Sequence, residues 1–277
     1  MKNLIIRTLS GVGFVALMVA GILLNRYTFL AVMLVILCNM MVEFFGMTVR
    51  KNYLFAQVLT VLSSVAFFVL MFLWRAGIMP VSLLLLGIIP VFVIMIDSLY
   101  VKDKDEFGRF SNLYTSLLYI TVPMSIVNFA VFSPEGVYDG TMLLCFFIMI
   151  WASDVGAYLF GSTLGQRYGK KLFPSISPKK SWVGFWGGFL MSIVSGVVLH
   201  YIGFLELSLL HSILLAVVID VSGVYGDLIE SQWKRHYGVK DSGKGIPGHG
   251  GYLDRFDSSL TAIPMGVIYL LLINLLQ

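Results

Sequence analysis

One polar stretch near the end of the chain, residues 231–259, concentrates the residue types that could do chemistry. It holds lysines, arginines and aspartates together with two histidines and the glycine-rich run His249-Gly250-Gly251. Glycine-rich backbone can turn its N–H groups toward an anion, and Lys and Arg add positive charge for phosphate oxygens. Clustered carboxylates suit a hard divalent cation such as Mg²⁺. Together these parts predict a site for phosphoryl or nucleotidyl transfer.

Three polar features upstream add to this stretch. Asp154 interrupts an apolar run, where a bare carboxylate is costly unless it has a task. A basic segment, Ser177-Pro-Lys-Lys-Ser-Trp182, precedes the next apolar run. A polar stripe then follows helical spacing along residues 220–234, and it predicts a helix face turned toward a wet cavity or the bundle interior. The stripe consists of Asp220, Asp227, Glu230, Ser231 and Lys234.

The composition is that of a membrane protein. The 277 residues are 58% hydrophobic and 12% charged, with a mean hydropathy of +0.89, whereas soluble domains are about 25% charged. Apolar runs of about 20 residues are typical of membrane-spanning helices. We therefore predict an all-α, polytopic integral membrane protein with about nine spans. The predicted spans are 8–24, 28–47, 53–74, 78–99, 112–133, 141–164, 182–203, 207–230 and 258–276.

The basic residues predict the orientation of these spans. Of the 19 Lys and Arg residues, only Arg26 and Arg75 fall on the side opposite to the N-terminus, leaving 17 on the other. Cytoplasmic loops carry such an excess, so we expect a cytoplasmic N-terminus and an external C-terminus. The polar stretch then faces the cytoplasm.

The two halves of the chain differ in chemistry. We expect residues 1–133 to form a scaffold of membrane helices with lipid or oligomer contacts, because this half is dominated by apolar side chains. We expect residues 134–277 to form the catalytic membrane domain, with cytoplasmic loops at 165–181 and 234–256.

The polar motifs resemble those of a known enzyme family. The signature of the phosphatidate cytidylyltransferase (CDP-diacylglycerol synthase) family is similar to Ser231-x-x-Lys234-Arg235, Lys240-Asp241, Pro247-x-His249-Gly250-Gly251 and Asp254-Arg255-Phe256-Asp257. Two further family motifs resemble Asp154-x-x-Ala157-Tyr158 and Ser177-Pro178-x-Lys180-Ser181-Trp182-x-Gly184. Departures from the pattern are Trp233 and Tyr252, at usually aliphatic or Phe positions, and Val183, where Glu or Gln is common. The specific motifs cover about residues 150–277.

The resemblance implies a reaction and a set of roles. CTP and phosphatidic acid would give CDP-diacylglycerol and pyrophosphate, with Mg²⁺ as cofactor and a second cation left open. Catalytic roles fall to Asp227, Asp254, Asp257, Lys234 and Arg255, of which Asp227, Asp254 and Asp257 form the expected metal cluster. Substrate binding falls to Asp154, Lys180, Ser231, Arg235, Lys240, Asp241, His249, Gly250 and Gly251.

Two rival functions remain open. One is a cytidylyl- or phosphoryl-transferase acting on a polyprenyl or ether-lipid phosphate, and the other is an ion-coupled transporter. A transporter predicts matching polar interruptions in both halves, whereas the polar groups here are confined to the second half and to one side. We expect a bacterial-type inner-membrane protein with its active site facing the cytoplasm. Its partners would be CTP, phosphatidic acid and membrane lipid, without nucleic acid, and a homodimer is left open.

Overall fold

The computed structural model describes residues 2–101, 104–166, 169–248 and 250–273. Contacts between residues divide this chain into two compact units. The first comprises the chain up to Asp139 together with Tyr237–Arg255, and the second comprises Gly140–His236 and the chain from Phe256 onward. The boundary at 139 lies close to the predicted division at 133. The predicted cytoplasmic loop 234–256, however, packs for most of its length with the first unit.

The first unit is built from apolar helices joined by short turns. Its helices are α1 (Lys2–Leu23), α2 (Arg26–Thr48), α3 (Leu54–Arg75), α4 (Ile89–Asp97), α5 (Lys104–Phe110), α6 (Asn112–Ser116) and α7 (Val122–Ile126). Tighter 3₁₀ segments at Val81–Ile88, Ser98–Tyr100 and Val127–Ala130 and a π-helical turn at Leu117–Thr121 continue these helices. Asn25 begins α2 by accepting hydrogen bonds from Tyr27 N and Thr28 N, as a helix-capping side chain does.

Aromatic side chains form the interior of the first unit. Phe29, Phe68 and Phe72 are fully or almost fully buried. The ring of Phe29 lies 6.3 Å from that of Phe68 and 6.5 Å from that of Phe72. Large rings buried in this way contribute both apolar area and ring–ring contact. This packing fixes α2 against α3.

The second unit contains four long helices and one hairpin. The helices are α8 (Thr141–Phe160, continued by a π-helical turn at Gly161–Gly165), α9 (Trp182–Tyr201), α10 (Leu209–His236) and α12 (Ser259–Leu272). The strands β1 (Lys171–Phe173) and β2 (Ser177–Ser181) pair antiparallel between α8 and α9. A single turn, α11 (Leu253–Phe256), precedes α12. The all-α class is therefore confirmed, with one short hairpin added.

The expected number of spans is confirmed only in part. Among the described residues, seven helical segments are long and apolar enough to cross a membrane. These segments are Arg26–Thr48, Leu54–Arg75, Val81–Tyr100, Glu106–Ala130, Thr141–Gly165, Trp182–Tyr201 and Leu209–His236. The predicted first span corresponds to a shorter apolar helix at Thr8–Leu23. The predicted last span, 258–276, corresponds to the 14 residues of α12 and extends beyond the described residues.

Glycines let α8 and α9 approach closely. A Cβ atom built on Gly156 would lie 2.5 Å from the carbonyl oxygen of Gly187 and 2.7 Å from Met191 Cγ. A Cβ on Gly184 would lie 3.0 Å from the carbonyl oxygen of Ala157. Small residues at a helix–helix contact are a common way to pack helices in a membrane. This contact holds the helix that carries Asp154 against the helix that begins at the basic hairpin.

We expect Gly156→Ala to destabilise the protein, because the added methyl group meets backbone that cannot move aside. Overpacking of this kind costs about 1–3 kcal/mol, so the midpoint of thermal unfolding in detergent should fall by several degrees. Gly46→Ala is the matched control, since nothing lies within 4 Å of a Cβ at Gly46 and Ala favours a helix. Equal unfolding temperatures for the two variants would contradict this account of the α8–α9 contact.

Candidate active site

A cavity of about 510 Å³ lies within the second unit. It is bounded by α8, the end of β2, the first turn of α9, and α10. Its lining includes both acidic and basic side chains, namely Asp154, Lys180, Asp220 and Asp227. Three of these four residues were predicted as site residues, and the structure brings them to one cavity.

Lys180 and Asp227 form an ion pair in this cavity. The Nζ atom of Lys180 lies 2.5 Å from Oδ2 of Asp227, with the two side chains 26% and 31% exposed. Their partial exposure leaves both charges accessible to a solute. The hairpin positions Lys180, because β2 ends at Ser181, whose Oγ accepts a hydrogen bond from Gly184 N (3.1 Å) and caps α9. Lys180 therefore lies one residue before Ser181, the residue that caps α9.

A second ion pair lies further along α10. Lys234 and Glu230 pair one helical turn apart, and both residues are buried. Ser231 donates a hydrogen bond to Oδ1 of Asp227 (3.3 Å) from the same helix. The predicted polar stripe is thus a real face of α10, on which Asp227 and Glu230 each pair with a lysine.

Asp257 adds a carboxylate to the same unit. The pKa of Asp257 is raised well above its usual value, mainly because the side chain is buried. The negative charges of Asp227, Glu230 and Asp154 raise it further. The backbone N–H of Ser258 donates a hydrogen bond to Oδ1 of Asp257 (2.7 Å), and this bond lowers the pKa of Asp257 in part. Mutual repulsion among these carboxylates is the condition that a bound cation relieves.

The expected metal cluster of Asp227, Asp254 and Asp257 remains a prediction. Across residues 2–101, 104–166, 169–248 and 250–273, no three His, Cys, Asp or Glu side chains are grouped so as to hold a metal ion. The donor chemistry fits a hard cation, since carboxylates offer oxygen ligands. The ammonium group of Lys180 lies beside Asp227, where a metal ion would compete with it.

The end of the cavity remote from the basic hairpin contains a buried polar pair. Ser153 Oγ donates to Oδ1 of Asp220 (2.5 Å), and Asp220 is only 1% exposed. The other oxygen of Asp220, Oδ2, is buried and has no hydrogen-bond partner among the described residues. The cavity therefore changes from basic at the hairpin to acidic along α10.

Asp254 has its contacts in the first unit. Its Oδ2 accepts hydrogen bonds from Ser242 N (2.9 Å) and Gly251 N (2.8 Å) and lies 3.0 Å from Ser242 Oγ. Gly250, with φ of +84°, adopts a backbone conformation that L side chains rarely take. The carboxylate of Asp254 thus organises the glycine-rich loop that the sequence singled out.

Asp254 and Asp257 are three residues apart in the sequence but do not belong to one continuous helix. Asp254 lies in the single turn α11, whereas Asp257 follows that turn and precedes α12. The side chain of Asp257 accepts the N–H of Ser258, a local bond that competes with helix continuation.

The other predicted residues differ in their surroundings. Arg235 is exposed, and its Nε donates to the carbonyl oxygen of Ile176 (3.3 Å) in the hairpin turn. Lys240, Asp241 and Arg255 are exposed side chains of the first unit's loop. His249 lies outside the described residues.

One residue in contact with the loop was missed by the sequence analysis. Glu43, on α2, accepts hydrogen bonds from Ser242 Oγ (3.1 Å) and Leu253 N (3.0 Å). The only local signal was a lone carboxylate near the end of an otherwise apolar span, a placement that is costly without a partner. No motif spacing pointed to it.

Comparison with known proteins agrees with the motifs. Residues 5–273 match the Cytidylyltransferase family. A Staphylococcus epidermidis protein (strain ATCC 35984), named phosphatidate cytidylyltransferase, is 32% identical over 249 residues, which is 90% of each chain. Proteins of the same name from Staphylococcus aureus (strain COL) and Bacillus subtilis (strain 168) are each 35% identical, the former over 76% of this chain and 78% of its own, the latter over 69% of both. Because the family match spans nearly the whole sequence, the chain belongs to the cytidylyltransferase family.

Proposed function

We propose that this protein transfers the cytidylyl group of CTP to the phosphate of phosphatidic acid, producing CDP-diacylglycerol and pyrophosphate. Its similarity to relatives named phosphatidate cytidylyltransferase supports this substrate pair. The observation that carries the proposal is the cavity in which Lys180 pairs with Asp227, set among helices apolar enough to cross a membrane. A lipid phosphate and a soluble nucleotide can meet at such a place.

The chemistry requires little proton transfer. The phosphate monoester of phosphatidic acid has a second pKa near 6, so it is largely anionic at pH 7. One of its oxygens attacks the α-phosphorus of CTP, a new P–O bond forms, and the bond to the β-phosphate oxygen breaks to release pyrophosphate. No strong general base is needed. The barrier arises from bringing two polyanions together and from charge that builds on the leaving group.

Basic side chains are the protein's means of lowering that barrier. In this proposal the ammonium group of Lys180 exchanges its partner Asp227 for a phosphate oxygen of the substrate. The hairpin thus positions this positive charge before the substrate binds. Lys234, paired with Glu230, and Arg235, held by the hairpin turn, add positive charge at the end of α10. Fixed cations act strongly where water is excluded, and they also hold reacting groups in line.

We also propose that the protein binds Mg²⁺, which would reduce the electrostatic repulsion between the carboxylates. Asp227 and Asp257 would hold it, and Asp254 is the third ligand expected from the sequence. A bound divalent ion neutralises charge on the phosphates and on the leaving pyrophosphate. Removal of Lys180 from Asp227 by substrate would open that carboxylate to the ion.

The membrane location and orientation are also proposed. CTP is a cytoplasmic metabolite, and the charge distribution of the sequence favours loops on that side. We therefore propose a bacterial inner-membrane enzyme with its active site facing the cytoplasm. Its diacyl substrate would enter from the bilayer.

A substrate panel tests the reaction. Purified protein in mixed micelles is incubated with labelled CTP, Mg²⁺ and one acceptor at a time: phosphatidic acid, an ether-linked analogue or a polyprenyl phosphate. We expect a lipid-soluble cytidine product with phosphatidic acid, and little product when ATP replaces CTP. Faster reaction with polyprenyl phosphate would assign the enzyme to that lipid, and transfer from ATP would contradict cytidylyl transfer.

The metal ligands are tested by Asp→Asn substitutions at Asp227, Asp254 and Asp257. Each change keeps size but removes a negative charge, so turnover should fall at least about a hundredfold, as for the loss of a principal electrostatic contact. Raising Mg²⁺ should partly restore a variant whose defect is metal affinity. For Asp254→Asn, a defect that Mg²⁺ does not relieve would indicate loss of the loop contacts instead. Near-normal, Mg²⁺-dependent turnover in all three variants would show that the metal assignment is wrong.

Lys180 and its neighbour Lys179 provide a matched pair. Both line the cavity, but the ion pair with Asp227 is made by Lys180. We expect Lys180→Met to lower kcat/KM by about a hundredfold or more, and Lys179→Met to change it only a few-fold. Steady-state kinetics with CTP varied at fixed phosphatidic acid measure this difference. Equal losses in the two variants would argue that the hairpin supplies only general positive charge.

A further inference from the structure

Glu43 touches the glycine-rich loop from a part of the chain that carries no motif. It lies on α2, five residues before that helix ends at Thr48. Its Oε2 atom accepts hydrogen bonds from the side chain of Ser242 and the backbone of Leu253, 3.1 and 3.0 Å away. One carboxylate oxygen therefore joins two loop positions that are eleven residues apart in the sequence.

Three loop glycines pack closely against this carboxylate. A Cβ atom on Gly243 would lie 2.6 Å from Oε1 of Glu43, and one on Gly245 would lie 3.0 Å from the same atom. A Cβ on Gly251 would collide with Oε2. Absence of a side chain at these positions lets the loop backbone fold against Glu43. The glycine pattern is thus explained in part by a residue outside the motif.

A second carboxylate, that of Asp254, also binds the loop. Oδ2 of Asp254 accepts the N–H groups of Ser242 and Gly251, and it also lies 3.0 Å from Ser242 Oγ. The hydroxyl of Ser242 has one proton, which it donates to Glu43 or to Asp254. Hydrogen bonds from backbone N–H groups to a charged acceptor are among the stronger ones in proteins. Together the two carboxylates hold the beginning and the end of segment 242–253 side by side.

The first helix adds a contact to the same segment. Ser10 Oγ, on α1, donates to the carbonyl oxygen of Pro247 (2.8 Å). The loop is therefore attached to α1 and α2, both from the half that the sequence suggested was only a scaffold. Between its attachment points the loop presents the exposed ammonium group of Lys244.

We propose that Glu43 is a positioning residue of the cytidylyltransferase, which fixes the glycine-rich loop before nucleotide binds. A loop ordered in advance does not lose conformational freedom when the ligand arrives, so binding is stronger. Without Glu43 the loop would have to be ordered by the nucleotide, and affinity for CTP would fall. This role rests on the proposed function for its effect on CTP, but the ordering of the loop does not depend on it.

Limited proteolysis measures loop order without any substrate. Trypsin cleaves after Lys240 and Lys244, and cleavage in a folded protein reports how often the segment opens. We expect Glu43→Gln to raise the cleavage rate at these sites about tenfold, as for a weakened charged hydrogen bond. The matched control is Glu106→Gln, another partly buried carboxylate of the first unit, which accepts a hydrogen bond from Tyr53 (2.8 Å). Its cleavage rate at Lys240 and Lys244 should equal that of the unmodified protein.

Kinetics separate positioning from a general structural effect. In Glu43→Gln we expect the KM for CTP to rise about tenfold while kcat changes less than about threefold, since a pre-formed loop contributes mainly to binding. The KM for phosphatidic acid should stay the same. A fall in kcat with unchanged KM would overturn the positioning role. Unchanged cleavage at Lys240 and Lys244 would overturn it as well, whatever the reaction catalysed.

Ser242→Ala is a second variant that tests the same contact if the Glu43→Gln protein does not fold. It removes only one of the two donors to Glu43, so we expect a folded protein with a smaller, several-fold increase in both the cleavage rate and the KM for CTP. Combined with Glu43→Gln, it should have less than an additive effect, because both changes remove the same contact. Full additivity, or a Ser242→Ala protein identical to the unmodified one, would contradict the proposal.

Discussion

The structure depends on how carboxylates are accommodated among apolar helices. An unpaired charge removed from water is destabilising by several kcal/mol, and removal of one partner of a buried pair costs about 3–5 kcal/mol. In the second unit the buried Glu230 pairs with Lys234, and the partly exposed Asp227 pairs with Lys180. Lys180 reaches its partner because the hairpin ends at the cap of α9. Close packing of α9 on α8 through glycines keeps that hairpin in place.

In the first unit, carboxylates are stabilised by hydrogen bonds from backbone N–H groups. Glu43 and Asp254 accept hydrogen bonds from N–H and hydroxyl groups of the glycine-rich loop. The side chains of Lys240 and Lys244 in that loop are exposed. Two helices of the N-terminal half, α1 and α2, therefore contact the glycine-rich loop.

Sequence reasoning identified chemistry better than it identified contacts. Asp227 and Lys180 were both predicted from residue type and motif, but 47 residues separate them, and their pairing is visible only once the hairpin returns to α10. Asp254 and Asp257 stand three apart, a spacing that places two residues on one face of a continuous helix. In the structure the turn α11 ends between them, at Phe256, and the N–H of Ser258 donates a hydrogen bond to the side chain of Asp257. Helical periodicity cannot anticipate such a competing bond.

Glu43 shows a different limit. Its importance comes from tertiary contacts with a loop about 200 residues later, and a lone Glu in an apolar run carries no spacing to interpret. Span prediction was reliable where apolar runs were long. The predicted first and last spans correspond to Thr8–Leu23 and to α12, and the last predicted span extends beyond the described residues.

The central claim is that this site transfers a nucleotidyl group and not a phosphoryl group. The most direct measurement uses two preparations of CTP, labelled with ³²P at the α- or the γ-phosphate, in parallel incubations with phosphatidic acid and Mg²⁺. The account predicts that α-label enters the organic-extractable product, while γ-label is released entirely as water-soluble pyrophosphate. Recovery of γ-label in the lipid fraction would contradict it.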